Sequence, residues 1–268
     1  MTAVQSIIAA SMVISVMMSV AWAIQRVTHQ AGWADVFWSF AVGLGGMIVA
    51  LLPAEGGDAD RRWLVAGLAA FWSLRLGIHI LARTATASHE DPRYAALRDE
   101  WGENFQSRLF LFLQIQALCG IGLAITIFAA ALRPGSAPSI SDGVGLALLL
   151  VSVLGEGVAD RQLRAFAMDK KNHGKVCDRG LWAWSRHPNY FFEWLGWLAY
   201  PCIAIDFSGG WQPGWLSLIG PVMMYWLLVH VSGIPPLESH MLRSRGDAFR
   251  DYMARTSAFF PLPPKKVR

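Results

Sequence analysis

Apolar residues gather in seven runs along the chain, at 4–24, 35–52, 63–81, 109–132, 144–166, 190–205 and 215–231, with short polar stretches between them. A helix needs about 20 apolar residues to cross the hydrocarbon core of a bilayer. Lipid offers no partners to backbone N–H and C=O groups, so each run must pair its own. The pattern therefore predicts an all-α polytopic membrane protein with seven transmembrane helices. The second run starts on Asp35, Arg75 and His79 interrupt the third, the fifth turns charged at its far end, and the sixth is short. Gly56-Gly57-Asp58 and the stretch 133–142, with Pro134, Gly135 and Pro138, read as turns. Asp91-Pro92-Arg93-Tyr94 reads as a helix start, with proline in the first turn. The tail from Glu238 to Tyr252 reads as one amphipathic helix closed by Pro261.

Composition agrees. Hydrophobic residues make up 54% and charged residues 16%, against about 25% charged in a soluble domain. That excludes a disordered chain, a disulfide scaffold and an ordinary water-soluble enzyme. The basic residues then give an orientation, because they favour cytoplasmic loops. With seven spans and the N-terminus outside, nineteen of the 23 Lys and Arg residues lie on the cytosolic side. Only Arg61, Arg62 and Arg133 lie outside, and Arg75 is within a span. The C-terminus is then cytosolic. The net charge of +4 follows this topology and does not point to nucleic acid. Ala21-Trp22-Ala23 is like a cleavage site, but no basic segment precedes the long apolar run, so the first span is expected to be retained. Cys119, Cys177 and Cys202 give neither a disulfide frame nor metal-ligand spacing. One transmembrane domain covers 1–268.

Charges in a span are costly and usually face a site or a partner. Asp35 opens the second span beside Trp33 and Trp38. Arg75 and His79 sit one turn apart on the third. Glu156, Asp160 and Arg164 repeat at four-residue steps on the fifth, and so share one helical face. Glu193 follows Ser185-Arg186-His187-Pro188-Asn189-Tyr190 at the start of the sixth. Each has a plainer reading: Asp35 as a helix cap, Arg75 with Glu156 as a bundle tie, His79 as an interhelical hydrogen-bond partner, Asp160 and Arg164 as a solvated helix end. Lys170 and Lys171 are accounted for by topology or by anionic lipid. Taken together, the groups suit a ligand with an anionic part and an amide- or ribose-rich part. Arg and Lys would meet phosphates, and Asp160 and Glu193 would accept hydroxyl or amine hydrogens. No Gly-x-Gly-x-x-Gly follows a strand, so any nucleotide must bind among the helices, in the half of the chain over 144–268.

The stretch from Asp160-Arg161-Gln162-Leu163-Arg164 through Gly180-Leu181-Trp182 to Arg186-His187-Pro188-Asn189-Tyr190 and Glu193 resembles the membrane steroid 5-alpha-reductase family. It looks closest to that family's bacterial, largely uncharacterised reductase-like branch. Trp72-Ser73-Leu74-Arg75-Leu76 and Asp91-Pro92-Arg93-Tyr94 also look like that branch, and the resemblance runs from about Asp35 onward. It implies a seven-helix enzyme of a bacterial cell membrane that uses NADPH. By similarity, Asp160 and Arg164 match an Asp and an Arg on the fifth helix, and Glu156 stands where the steroid enzymes have Asn. Asn189, Glu193 and Trp197 match the start of the sixth helix. Arg75 matches an Arg on the third, Lys175 or Arg179 would serve the phosphates, and His187 and Tyr190 are neighbours of the cofactor.

The steroid-reducing members hold the ketone with a Gln-Glu pair and a Tyr. Here that region reads Ala34-Asp35-Val36-Phe37-Trp38-Ser39, and the Tyr position is Trp72. The cofactor half of the resemblance is thus the better supported. Asp35, His79 and Tyr94 are the candidates for the acid. The implied reaction is NADPH-dependent reduction of an activated carbon–carbon double bond in a lipophilic substrate that enters from the bilayer. Two rivals stand beside it. An S-adenosylmethionine-dependent membrane methyltransferase of the isoprenylcysteine carboxyl methyltransferase type shares Arg186-His187-Pro188-Asn189-Tyr190 and an acidic C-terminal helix, such as Glu238 with Tyr252. A transporter or lipid-binding protein would also accommodate buried charges, but the chain lacks a matched pair of broken Gly/Pro-rich helices.

Overall fold

A computed structural model describes residues 1–87 and 89–265. Lys266 and Arg268, which contribute to the basic count of the tail, lie outside the described residues. Among the described residues eleven α-helices follow in chain order: α1 (Ala3–Thr28), α2 (Trp33–Leu51), α3 (Ala59–Ala85), α4 (Pro92–Trp101), α5 (Phe105–Ala131), α6 (Ile140–Met168), α7 (Pro188–Trp197), α8 (Ala199–Ala204), α9 (Ile219–Trp226), α10 (Ile234–Arg245) and α11 (Asp247–Arg255). A 3-10 segment, Gln212–Leu218, leads into α9, and a π-helical turn, Leu227–Val231, follows it. No strand occurs among the described residues; Ser185 and Ser257 form an isolated parallel bridge.

Six helical segments among the described residues are long and apolar enough to cross a membrane: Ala3–Thr28, Trp33–Leu51, Ala59–Ala85, Pro92–Ala131, Ile140–Met168 and Gln212–Arg245. By this measure the chain is an integral membrane protein. In α1, 26 residues span about 39 Å at ~1.5 Å each. Thr2 and Gln5 close its first turn with a reciprocal capping box. Its buried stripe is Ser6, Ala10, Ile14, Met18, Ala21 and Gln25. Its opposite stripe, Val4, Ile8, Met12, Val16 and Val20, is exposed at strict four-residue steps. Such a wide exposed apolar face suits hydrocarbon, not water.

Two expectations are corrected. The sixth run, 190–205, is not one long helix but α7 and α8, parted at Leu198. Pro201 accounts for the break: it has no N–H to donate, and its ring crowds the carbonyl four residues back, at Trp197. The tail is likewise two helices. Gly246, at φ +52°, takes the left-handed conformation that ends α10 and starts α11.

The chain forms two compact units. One is Met1–Leu146 with Ala199–Gly220; the other is Ala147–Leu198 with the chain from Pro221 onward. The boundary falls within α6. In the first unit α2 packs against α1, α3 and α5. Ala199–Gly220 belongs to the first unit, although it falls within 144–268. Trp211 Nε1 donates to the Ala129 carbonyl at 2.9 Å, and Arg133 donates to that of Ile203 at 2.7 Å.

A buried arginine fastens the same unit. Arg61 on α3 is 1% exposed. Its Nε and Nη2 donate to the Asp142 carboxylate at 2.8 and 3.0 Å. Nη1 donates to the carbonyls of Arg133 and Gly135, and Nη2 also to Ser136, each at 2.9 Å. All five guanidinium hydrogens are used. The residue reads from sequence as one of a few exterior basic side chains; it is the clamp between α3, the turn 133–139 and the start of α6.

Candidate functional site

In the second unit the fifth-span face becomes a graded series along α6: Glu156 is buried, Asp160 half-buried and Arg164 exposed. Small residues hold α7 against it. The Phe192 ring fills the space a side chain at Gly155 would need, and Gly196 lies against Ser152, whose Oγ donates to the Phe192 carbonyl at 2.6 Å. This register brings Asn189 to Asp160, and Asn189 Nδ2 donates to Asp160 Oδ1 at 3.3 Å. One turn further on α7, Glu193 is buried and accepts from Trp197 Nε1 at 3.1 Å. Asp160, Asn189, Glu193 and Trp197, separate in sequence, thus belong to one α6–α7 face.

The loop between these helices folds back on α6. Gly180 adopts φ +57° with the Gln162 amide beside it, and Gln162 Oε1 accepts from the Leu181 N–H at 2.9 Å. Trp182 Nε1 donates to the Ala159 carbonyl at 3.0 Å. Arg179 lies over the Phe166 ring near the end of α6, at 5.5 Å, and Arg164 on α6 and Lys175 on the loop are exposed.

The loop also docks on the tail. Arg186 makes two bonds to Glu238 on α10, Nε to Oε1 at 2.7 Å and Nη2 to Oε2 at 3.2 Å. Its Nη1 donates to the Thr256 carbonyl at 2.6 Å and that of Met253 at 3.3 Å. His187 is 3% exposed, with Nε2 2.9 Å from Glu238 Oε1 and its ring stacked on Tyr190 at 5.5 Å. Ser185 Oγ donates to the Phe259 carbonyl, and Tyr252 Oη to that of Trp182. Burial pushes the His187 pKa down, against the opposing pull of Glu238, and it raises that of Tyr252.

A separate polar cluster lies in the first unit. Asp35, in the first turn of α2, accepts from Arg93 and, at 3.0 Å, from the Tyr94 hydroxyl. Asp91 caps α4 and binds Arg93 through both carboxylate oxygens, at 3.0 and 2.9 Å. Burial raises the Asp91 pKa, but Arg93 outweighs it and holds the carboxyl below its usual range. Tyr94 is buried. The Trp38 and Trp72 rings meet edge-on at 6.3 Å. Two of the three candidate acids, Asp35 and Tyr94, are therefore in direct contact. Asp35 accepts from both Arg93 and Tyr94 through its two carboxylate oxygens. Arg75 and His79 are one turn apart on α3, both half-buried.

Sequence reading missed Arg93 as a site residue and weighed Glu238 only in the methyltransferase alternative. The cap motif around Arg93 was visible, but its partner lies 58 residues away. Among the described residues no group of three His, Cys, Asp or Glu is placed to hold a metal. No curated protein and no solved structure matches the chain. The profile of DUF1295, described as a protein of unknown function, matches residues 21–256, and on that match the chain belongs to the DUF1295 family.

Proposed function

We propose that the protein is a membrane-embedded, NADPH-dependent reductase of an activated carbon–carbon double bond in a lipophilic substrate, as its resemblance to the membrane steroid 5-alpha-reductases implies. The observation that carries this reading is the Asp160–Asn189 contact on the α6–α7 face, with Glu193 buried one turn on and Arg164, Lys175 and Arg179 at its polar end. That donor set fits a dinucleotide: guanidinium and ammonium groups for phosphates, carboxylates for ribose or amine hydrogens, amides for a carboxamide. Arg75, Glu156, Tyr190 and Trp197 complete the assignment by similarity. NADPH, when bound, supplies the hydride, and the protein supplies binding, orientation and electrostatics.

In the first unit Arg93 is the donor, held in place by Asp35 and Asp91, while the one hydroxyl hydrogen of Tyr94 goes to Asp35 and steadies that carboxylate. A guanidinium suits an oxygen that gains charge during reduction, as a carbonyl becoming an enolate does. His79 is the remaining candidate for the proton. The substrate class is a lipid-soluble enone. The protein sits in a bacterial cell membrane in a seven-span topology with an outside N-terminus and a cytosolic C-terminus. In intact cells a tag at the N-terminus is expected to be labelled from outside, and one at the C-terminus only after permeabilisation. Labelling of both from the same side would end that topology.

A second reading is favoured by one observation. Arg186 and His187 share the carboxylate of Glu238, which joins the two stretches on which the methyltransferase resemblance rests. Thermal melting of the detergent-purified protein separates the two. NADPH at ~100 times its Kd should stabilise by about 2.7 kcal/mol, and Asp160→Ala should abolish that gain. Stabilisation by S-adenosylmethionine with none by NADPH would replace the reductase reading.

A further inference from the structure

His187 carries a buried nitrogen that none of the roles above uses. Nδ1 is sealed from solvent and has no hydrogen-bond partner among the described residues. A desolvated acceptor left unpaired is costly, so such an atom points to a donor that the chain itself does not provide.

The neighbours fix what this atom is. Glu238 binds Arg186 through both oxygens, which makes it an acceptor-only carboxylate. The proton in the 2.9 Å contact between His187 and Glu238 must then sit on Nε2. A neutral imidazole has one N–H, and burial favours the neutral ring. Nδ1 is left with a bare lone pair. The ring is oriented by the Nε2 contact to Glu238 and lies stacked on Tyr190.

We propose that Glu238 is a positioning residue that locks His187 in the Nε2–H tautomer, so that Nδ1 serves as a hydrogen-bond acceptor for an N–H or O–H of the bound ligand. The choice of ligand rests on the dinucleotide reading above, where the donor is a ribose hydroxyl or an amide N–H. His187 is the N-cap of α7, and Asn189, which donates to Asp160, lies two residues on in the first turn. Such outer partners commonly fix the tautomer of a ligand-binding histidine.

The test is nitrogen NMR on the full-length, histidine-labelled protein in detergent, with the resonances of His187 identified by their loss in His187→Asn. The expected spectrum has a protonated Nε2 and an unprotonated Nδ1, and saturating NADPH should move the Nδ1 signal in the direction of an accepted hydrogen bond. Glu238→Gln should release the lock, seen as a mixed or inverted tautomer, and weaken NADPH binding about tenfold. The wild-type spectrum decides the matter even if that variant does not fold. A protonated Nδ1 in the wild type would overturn the lock. An Nδ1 signal that stays put while melting shows NADPH bound would make His187 purely structural and overturn the acceptor role. If NADPH leaves melting unchanged, the dinucleotide reading fails separately, and the tautomer alone then upholds or ends the lock.

Discussion

Replacing Arg61 with alanine is expected to cost about 3–5 kcal/mol, the usual effect of breaking a buried ion pair. The mutation strands Asp142, which is as buried as Arg61 itself at 1% side-chain exposure. It also removes the donors to the carbonyls of Arg133, Gly135 and Ser136. For a chain of this size that corresponds to a fall of roughly 6 °C or more in melting temperature. Arg61→Lys should recover only part of it, because an ammonium has three donors and no planar fork. The check is thermal melting in detergent of the two variants beside wild type. A melting temperature for Arg61→Ala within about 2 °C of wild type would mean the clamp contributes little to the fold.

The second large effect is expected at Arg186. Its guanidinium joins the loop before α7 to α10 through Glu238 and to the end of α11 through the carbonyls of Met253 and Thr256. Arg186→Ala leaves the largely buried Glu238 beside His187 without its cation. A loss of about 3–5 kcal/mol is expected, with the C-terminal segment 253–265 opening first, since Arg186 supplies two of the side-chain bonds that tether it, beside those of Ser185, Trp184 and Asp178. Limited proteolysis reports this directly. Arg186→Ala should be cut in that segment at protease levels that leave the wild type intact. Cleavage and melting both unchanged would show that the tail is held without the Arg186 side chain, by its backbone bonds and apolar contacts. Phe259 is the main candidate for those contacts, because it lies edge-on to Phe191, Trp194 and Tyr225.

Much of the fold was legible because membrane helices announce themselves by length and hydropathy. The runs 4–24, 35–52, 63–81, 109–132 and 144–166 lie within or largely overlap helices α1, α2, α3, α5 and α6. The run 190–205 misled because apolarity alone does not weigh a single proline, and Pro201 stops α7 from continuing. In the tail, one amphipathic pattern spans Gly246, whose left-handed backbone splits the helix. For the site, the four-residue spacing of Glu156, Asp160 and Arg164 already implied a common face. What spacing cannot give is a partner far along the chain. Asp35 finds Arg93, and Arg61 finds Asp142, across 58 and 81 positions. Charge counting placed Arg61 with the exterior basic residues and gave no sign that its hydrogens are all engaged inside the protein.

The glycines of α2 carry a consequence of their own. Any side chain at Gly43 would occupy the space of Ser73 on α3, one at Gly45 that of Ile14 on α1, and one at Gly46 that of Ile127 on α5. Three neighbouring helices therefore rest almost directly on the backbone of a single one. Such an axle is tightest at Gly43, which meets the Ser73 Cβ itself, so a randomised library should hold glycine there most strictly, while Gly45 and Gly46 face the movable tips of Ile14 and Ile127 and the outward stripe of α1 drifts freely among apolar residues. The room for new specificity in this scaffold lies at its rim, not at its hub.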